Sequence, residues 1–403
     1  MQFDMFENPA AVPEIEGDVI TGPSPIEYHR TLPGYASTPL YDVPQIADEL
    51  GVAKVLLKDE SSRLGLPAFK MLGASWAVAY AVRRQWLPEV ERVLSPQQLG
   101  ELIPNRSARR LVAATDGNHG RGVARMAKMM GISCVIFVPE SLAPSRVEAI
   151  RSEGAEVRVV AGSYDDAIRS SAASGNQDSI VVSDTSWEGY RDIPRQVTHG
   201  YQTMFTEVDE VVRGGTMGWP TVLALQAGVG AFAASGLLHY RGASAQSPRP
   251  RCAIVEPLTA NCLLRSARAG RITQAPPPHP SRMEGLNCGW PSELTWPVIQ
   301  RGADVFLGID DDATFEAMRL LAANGIVAGE SGAAGLGGLL AVARQGTAAQ
   351  RDHLGLTPTA LVLLVNTEGA TDPINYEYVV GVPPTQIESE SSIRRDAAGA
   401  TRT

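Results

Sequence analysis

Short apolar runs alternate with amphipathic stretches along most of this chain. The apolar runs have the length of buried strands, and the amphipathic stretches have the spacing of helices. Strands that alternate with helices in this way predict a parallel sheet covered on both faces. The sequence therefore predicts an α/β fold with two doubly wound domains and mostly parallel sheets. The predicted strands are 55–58, 111–114, 134–138, 157–160, 180–182, 222–225, 252–255 and 361–365.

Changes in composition divide the chain into predicted domains. Residues 1–40 are rich in proline and irregular, and we expect them to form an arm over the body of the protein. Polar segments near 88–106 and 189–194 are the expected crossings between two domains. We therefore predict a large domain from 41–88 and 196–383, a small domain from 89–195, and a disordered polar tail from 384–403.

The 403-residue chain is 44% hydrophobic, which allows a large core, and its net charge is −9. An acidic chain disfavours nucleic acid as the main partner, because phosphate binding requires clustered Lys and Arg. The N-terminus lacks a basic segment followed by an apolar run, and no apolar stretch reaches the roughly 18 residues of a membrane helix. We therefore expect a cytoplasmic protein that binds no membrane. The cysteines show no CxxC spacing, so zinc and redox sites are disfavoured and no metal is predicted.

Lys70 stands where a predicted loop meets a predicted helix, in the sequence Ala68-Phe69-Lys70-Met71. Its apolar neighbours favour a neutral amine over an ammonium, and a neutral amine can attack a carbonyl group. A surface lysine at a helix start is the alternative interpretation. This segment alone supports both interpretations about equally.

The segment Gln226-Ala227-Gly228-Val229-Gly230-Ala231 follows a predicted strand and opens a helix. Small residues let backbone N–H groups approach a ligand, and the helix N-terminus adds partial positive charge, which suits a phosphate. The spacing differs from GxGxxG, and no acidic residue follows where a ribose would need one. A phosphate ester smaller than a dinucleotide is therefore favoured, with close helix–strand packing as the alternative.

Two polar segments follow predicted strands, where doubly wound sheets hold their ligands. In the first, Asn118 can hydrogen-bond a phenolate oxygen, and Asp116 is a candidate general acid or base. His119 of that segment is better explained by hydrogen bonds to the backbone than by catalysis. In the second, Asp184 ends a strand, with helix or turn capping as the alternative role. Two carboxylates at neighbouring strand ends would suit a cationic substrate.

Thr367 follows the last predicted strand, in the sequence Asn366-Thr367-Glu368-Gly369. A hydroxyl at this position is well placed to meet a ring nitrogen. An Asp would hold that nitrogen protonated, whereas a hydroxyl favours the neutral ring.

Taken together and in this order, these motifs resemble the fold-type II family of pyridoxal 5′-phosphate enzymes, and within it the diaminopropionate ammonia-lyases. The resemblance implies two domains with the cofactor in the cleft between them. It also implies a lyase that converts D- or L-2,3-diaminopropionate to pyruvate and two ammonia, and a homodimer by family habit. The segments that carry it are 58–61, 68–73, 114–123, 184–190, 226–231, 254–257, 329–333 and 367–369.

The same resemblance implies a role for each site residue. Lys70 would hold the cofactor covalently and also remove the Cα proton of the L-isomer. Asp116 would remove that proton from the D-isomer on the opposite face, and Asp184 would bind or activate the side-chain amine. The implied cofactor contacts are Phe69, the phosphate loop Gly228, Val229, Gly230 and Ala231, Asn118 at the 3′-oxygen, and Thr367 at the ring nitrogen.

Glu284, in the sequence Met283-Glu284-Gly285-Leu286, replaces a small residue of the family near the substrate pocket. By the resemblance, Glu284 and Ser61 are substrate-binding residues. The added negative charge of Glu284 would pair with a longer or more cationic substrate.

Two other functions compete with the lyase. A dehydratase or β-replacement enzyme would act on serine, threonine or another β-substituted amino acid, but a neutral hydroxyl does not call for both Asp116 and Asp184. A cofactor-binding protein without turnover is the other alternative. The presence of Lys70, both acids and the glycine loop argues against it.

Overall fold

The computed structural model describes residues 1–15, 24–115, 117–162, 164–215, 217–243, 245 and 248–389. Within these residues the strands are β1 Phe3–Glu7, β2 Leu40–Asp42, β3 Lys54–Asp59, β4 Arg110–Ala114, β5 Ser133–Pro139, β6 Glu156–Val160, β7 Ser179–Val181, β8 Val222–Gln226, β9 Arg251–Pro257, β10 Val305–Ile309 and β11 Leu361–Asn366.

Helices follow most strands. They are α1 Pro25–His29, α2 Pro44–Leu50, α3 Lys70–Trp86, α4 Pro96–Leu102, α5 Asn118–Met130, α6 Pro144–Arg151, α7 Tyr164–Ala172, α8 Asp192–Gly200, α9 Gln202–Arg213, α10 Ala231–Arg241, α11 Cys262–Ala269, α12 Trp296–Gly302, α13 Asp311–Ala323, α14 Glu330–Gln345, α15 Ala348–Leu354 and α16 Pro373–Val380. Short 3₁₀ turns span Arg106–Ala108, Leu258–Ala260 and Glu284–Leu286.

The larger sheet has seven strands in the order β1-β10-β9-β8-β11-β3-β2. Its five inner strands run parallel, and β1 and β2 pair antiparallel at the two edges. Successive side chains of a strand point to opposite faces, so both faces of the inner strands are apolar and buried. Helix α14, with α13, covers one face, and α10, with α8 and α9, covers the other.

The smaller sheet has four parallel strands in the order β6-β5-β4-β7. Helices α5 and α7 pack against it. Helix α3 packs against both α5 and α8, so it joins the helical layers of the two sheets. Lys70 is the first residue of α3 and therefore lies where the two sheets approach each other.

The predicted α/β class with mostly parallel sheets is confirmed, and each predicted strand is present within one or two residues at its ends. Strands β1, β2 and β10 were not predicted. Strand β1 lies in the segment expected to be an irregular arm, and it pairs along only one edge, so its sequence needs no continuous apolar run. The domain bounds stay a prediction.

Residues 384–389 of the predicted disordered tail are helical, and 390–403 lie outside the described residues. Across the described ranges, no helix combines the length and the apolar character required to cross a membrane.

Candidate active site

The loops that follow the carboxyl ends of β3, β4, β7, β8 and β11 surround one cavity. This edge of parallel sheets is where ligands bind in doubly wound folds. The described residues of the wall are Phe69, Lys70, Asn118, Arg146, Tyr164, Asp184, Tyr201, Gln226, Ala227, Gly228, Val229, Gly230, Ala231, Phe232, Gly285, Leu286, Cys288, Ser331, Thr367 and Glu368.

The loop before Lys70 is held against the loop that follows β11. A tight turn at Leu64 and Gly65, both with positive φ, redirects the chain after β3. The Phe69 N–H then donates to the Thr367 carbonyl at 3.1 Å, and the Gly369 N–H donates to the Pro67 carbonyl at 3.0 Å. These bonds fix Lys70 and Thr367 relative to each other on two different strand ends.

The Lys70 Nζ lies 2.9 Å from the Asp184 Oδ2 and forms an ion pair across the cavity. The Tyr164 hydroxyl donates to the other carboxylate oxygen of Asp184 at 3.3 Å. Burial by itself would raise the pKa of Asp184, but the positive charge of Lys70 and these hydrogen bonds outweigh it and hold that pKa well below its usual range. The ion pair with Lys70 therefore favours the carboxylate form of Asp184.

The segment that carries Asp184 is braced by its own aromatic residues. The Tyr190 hydroxyl donates to the Val181 carbonyl at 2.8 Å and accepts from the Ser183 N–H at 3.0 Å. The Trp187 and Tyr190 rings stack with centroids 4.1 Å apart. His119 forms a 2.8 Å hydrogen bond to the Val182 carbonyl, the backbone role that its sequence position predicts.

The glycine loop between β8 and α10 presents backbone donors without protein partners. Among the described residues, the N–H groups of Gly228, Val229 and Gly230 donate to no backbone or side-chain acceptor. Gly230 has φ +102°, and a Cβ there would overlap Ile299 Cδ1. A Cβ at Gly228 would lie 2.8 Å from the Cys288 Sγ. Unpaired N–H groups at the start of an 11-residue helix fit a phosphate.

Gln226 orients Thr367. Its Nε2 donates to the Val365 carbonyl at 2.9 Å and to the Thr367 Oγ1 at 3.0 Å. The Val365 carbonyl can only accept a hydrogen bond, so the side-chain nitrogen of Gln226, and not its side-chain oxygen, faces Val365 and Thr367. Because the Thr367 oxygen accepts from Gln226, its hydroxyl hydrogen remains for a ligand acceptor. A ring nitrogen without a proton is such an acceptor.

Two further contacts complete the inner wall. The Asn118 Nδ2 donates to the Glu368 Oε2 at 2.8 Å. The Phe69 ring packs against Tyr201 and Phe232, with centroid distances of 4.6 Å and 5.1 Å. Lys70 and Asn118 thus project from a wall that is apolar on one side and polar on the other.

The structure brings most of the predicted site residues to this one cavity. Ser61 is not part of the described wall. Ser61 lies against Gly369, because a Cβ built at Gly369 would come within 3.3 Å of the Ser61 Cβ. The Glu284 carboxylate lies 3.1 Å from Arg146 Nη2, so Arg146 already compensates the negative charge that was expected to face the substrate. Asp116 lies outside the described residues.

Several wall residues carry no role in the sequence interpretation, among them Arg146, Tyr164, Gln226 and Glu368. Gln226 and Glu368 stand at or just after strand ends, a position that could have marked them. Tyr164 is the first residue of α7 and Arg146 lies within α6. No local pattern distinguishes these two from ordinary helix residues.

Residues 31–357 match the family described as "Pyridoxal-phosphate dependent enzyme". Diaminopropionate ammonia-lyase of Escherichia coli strain K12 is 39% identical over 365 residues, which are 88% of this chain and 89% of that protein. The family match includes strands of both sheets.

Solved structures give the same result. The crystal structure of diaminopropionate ammonia lyase from Escherichia coli in complex with D-serine superposes with a TM-score of 0.84 at 35% identity, covering 94% of this chain and 97% of the other. The same enzyme with an aminoacrylate-PLP azomethine reaction intermediate gives 0.81 at 36% identity, with 94% and 97% covered. The chain therefore belongs to the pyridoxal-phosphate-dependent enzyme family, in which its relatives at 39% identity are diaminopropionate ammonia-lyases.

Proposed function

We propose that this protein is an ammonia-lyase that converts 2,3-diaminopropionate, as the D- or L-isomer, and one water to pyruvate and two ammonia. The observation that carries the proposal is the Lys70–Asp184 pair, 2.9 Å apart in the wall of the cavity. The pair would bring an amine and a carboxylate to the same bound molecule. The names of the relatives at 39% identity support the same substrate.

The cavity suits pyridoxal 5′-phosphate, the cofactor of the family. The unpaired N–H groups of Gly228, Val229 and Gly230 would hold its phosphate, and the Thr367 hydroxyl would donate to its ring nitrogen. Lys70, 21% exposed, would hold it covalently, with Asn118 at the 3′-oxygen and Phe69 beside it. When bound, the cofactor supplies a conjugated system that stabilises negative charge at Cα.

Asp184 binds the side-chain ammonium of the substrate. An amine leaves carbon readily only when it is protonated, and a nearby carboxylate favours the protonated form. An ammonium in the place of the Lys70 amine would, together with the Tyr164 hydroxyl, keep the pKa of Asp184 below its usual range and the carboxylate charged. Tyr164 keeps the carboxylate oriented through its 3.3 Å hydrogen bond.

Two bases remove the Cα proton. The Lys70 amine acts on the L-isomer, and Asp116 acts on the D-isomer from the opposite face. Both roles follow from the family resemblance and from the need for a base on each face of a planar group. Positive groups or N–H donors near Asp116 would keep it ionised.

The test measures pyruvate from the purified holoenzyme with D- and L-2,3-diaminopropionate, using D- and L-serine as comparators. We expect pyruvate from both diamino acids, and Asp116→Asn should lose the D-activity while retaining most of the L-activity. Pyruvate from serine but from neither diamino acid would replace this proposal with a dehydratase. Absence of pyruvate from all four amino acids, with the cofactor absorbance retained, would rule out the proposed lyase activity.

We also propose a homodimer and a cytoplasmic location, both supported by the family resemblance. Light scattering coupled to size-exclusion chromatography tests the first, and a mass near 42.9 kDa would contradict it. Cell fractionation tests the second.

A further inference from the structure

Glu368 is a buried carboxylate in the cavity wall, and the proposed mechanism gives it no task. It directly follows Thr367 and is 4% exposed. Its backbone carbonyl accepts from the Gly329 N–H at 3.0 Å, and a Cβ built at Gly332 would lie 2.5 Å from that carbonyl oxygen. The start of α14 therefore fixes the backbone from which the Glu368 side chain enters the cavity.

The Glu368 side chain reaches from the larger sheet to the smaller one. Its Oε2 accepts from the Asn118 Nδ2 at 2.8 Å, across 250 positions of sequence. Asn118 is the first residue of α5. On the other side, a Cβ built at Gly329 would lie 3.4 Å from the Glu368 Cγ and Oε1. The side chain is thus confined between the start of α14 and the Asn118 amide.

This hydrogen bond fixes the orientation of the Asn118 amide. An ionised carboxylate can only accept, so the amide nitrogen of Asn118, and not its oxygen, faces Glu368. That nitrogen carries two hydrogens, and the planar amide turns as one unit. Directing the first hydrogen at Glu368 therefore sets the direction of the second.

We infer that Glu368 is a positioning residue, which holds the Asn118 amide so that its second N–H donates to the 3′-oxygen of the cofactor. The inference rests on the proposed placement of the cofactor and adds a residue to it. One NH₂ group would then lie between two anionic oxygens and donate to both. Without that donor, the charge of Glu368 would disfavour a negative 3′-oxygen.

The absorbance of the holoenzyme, recorded at one fixed pH without any amino acid, tests the inference. The cofactor has a long-wavelength form with a negative 3′-oxygen and a short-wavelength form with a proton on that oxygen. A donor at the 3′-oxygen favours the first form. In Glu368→Ala we expect the ratio of long- to short-wavelength form to fall by about 3- to 10-fold, because Asn118 is no longer held. Loss of the charge alone would change the ratio in the opposite direction.

A double-mutant comparison separates positioning from a merely structural effect. Asn118→Ala should lower the ratio by about 10-fold or more, and adding Glu368→Ala to it should lower the ratio no further. Glu368→Gln keeps an oxygen that can accept from Asn118 and should retain most of the wild-type ratio. The glutamine variant also covers the case in which the alanine variant folds poorly.

Glu330→Ala is the matched control. Glu330 is also 4% exposed and also accepts from an asparagine amide, that of Asn375, but it is not among the described residues of the cavity wall. We expect its ratio to stay within about twofold of the wild type.

A ratio that rises or stays unchanged in Glu368→Ala would overturn the inference. So would a further fall when Glu368→Ala is added to Asn118→Ala, or equal falls in the glutamine and alanine variants. The spectrum requires no turnover. Failure of the wild-type protein to release pyruvate would therefore count against the proposed function alone.

Discussion

At the scale of single residues, the charge of Asp184 organises the inner end of the cavity. Its side chain is 9% exposed, and it would be neutral at such a depth if burial acted alone. Lys70 and Tyr164 both stabilise the carboxylate and thereby lower its pKa. The result is a fixed negative charge beside an amine that has to exchange protons.

Asp184→Asn keeps the shape of this side chain and removes its charge. We expect kcat/KM to fall by about 10²- to 10⁴-fold for both isomers of diaminopropionate, because the leaving ammonium loses its partner. The absorbance of the bound cofactor should persist. Asp192→Asn, at an exposed carboxylate paired with Arg84, is the control and should leave activity unchanged. Activity of Asp184→Asn within about twofold of the wild type would contradict the assigned role.

At the scale of elements, the β8–α10 unit depends on one backbone conformation. Gly230 stands before the first residue of α10 with φ +102°, a value that side-chain-bearing residues rarely adopt. The helix start and the free N–H groups are thereby placed at the cavity. Phosphate binding would then depend on this conformation of Gly230. The close packing of Ile299 leaves no room for a side chain at this position.

Gly230→Ala should weaken cofactor binding, because its Cβ overlaps Ile299 and the loop must move away. We expect the dissociation constant of pyridoxal phosphate, measured by fluorescence, to rise by about 10-fold or more. Gly270→Ala is the matched control, since Gly270 has φ +66° and no atom within 4 Å of a built Cβ. It should lower stability by about 1 kcal/mol and leave cofactor affinity unchanged. Equal affinities of the two variants for pyridoxal phosphate would contradict a role of the β8–α10 loop in cofactor binding.

The apolar pattern predicted most elements but not every break between them. The spacing of apolar residues over 195–208 fits one helix, whereas α8 ends at Gly200 and α9 begins at Gln202. Helix α3 crosses closely here, and a Cβ at Gly200 would lie 2.6 Å from the Leu72 carbonyl oxygen. Hydrophobic periodicity indicates which side of a helix is buried, but it does not show where another helix crosses it.

At the scale of the whole molecule, a buried ionic cluster joins the Lys70 loop to α9. Lys58, Glu60, Arg63 and Glu207 have side chains at most 1% exposed. Glu207 accepts from Lys58 at 2.5 Å and from Arg63 at 2.8 Å. Burial would raise the pKa of Glu207, but its bonds to Arg63 and Lys58 lower it to about 2. This ion pairing contributes stability above the unfolded pKa, and the contribution is lost only as the pH falls towards 2.

Glu207→Gln leaves two buried cations with one anionic partner. We expect the free energy of unfolding, from urea titration at neutral pH, to fall by about 3–5 kcal/mol. Glu210→Gln, on the same helix and in an exposed pair with Arg30, should change it by at most about 0.5 kcal/mol. A similar small loss in both variants would mean that the cluster does not support the Lys70 loop.

Glu330, at the start of α14, gives the stability a pH dependence of the opposite sign. Burial, joined by the negative charges of Glu368 and Asp372, raises its pKa to about 7, although Asn375 donates to it. A raised carboxyl pKa means that the folded state binds more protons, so stability falls as the pH rises from about 4.5 to 7.

Glu330→Gln should remove this loss, because the amide stays neutral. We expect the variant to gain roughly 1–3 kcal/mol over the wild type at pH 8 and little at pH 5. Thermal unfolding at the two pH values measures the difference. A gain that is equal at both would show that Glu330 does not titrate in this range.

The order of apolar runs and turn residues alone determined the α/β class, the inner strands and the segments at Lys70, Asn118, Asp184, Gly228 and Thr367. These features are local, because periodicity and strand ends are properties of a few consecutive residues. Only the tertiary structure decided the partners. Lys70 meets Asp184 across 114 positions of sequence, and Gln226 meets Thr367 across 141. Arg146 faces Glu284 because two separate sheets place α6 and a 3₁₀ turn at the same edge. Packing of distant elements sets such pairs, and a local pattern contains no information about what lies opposite it.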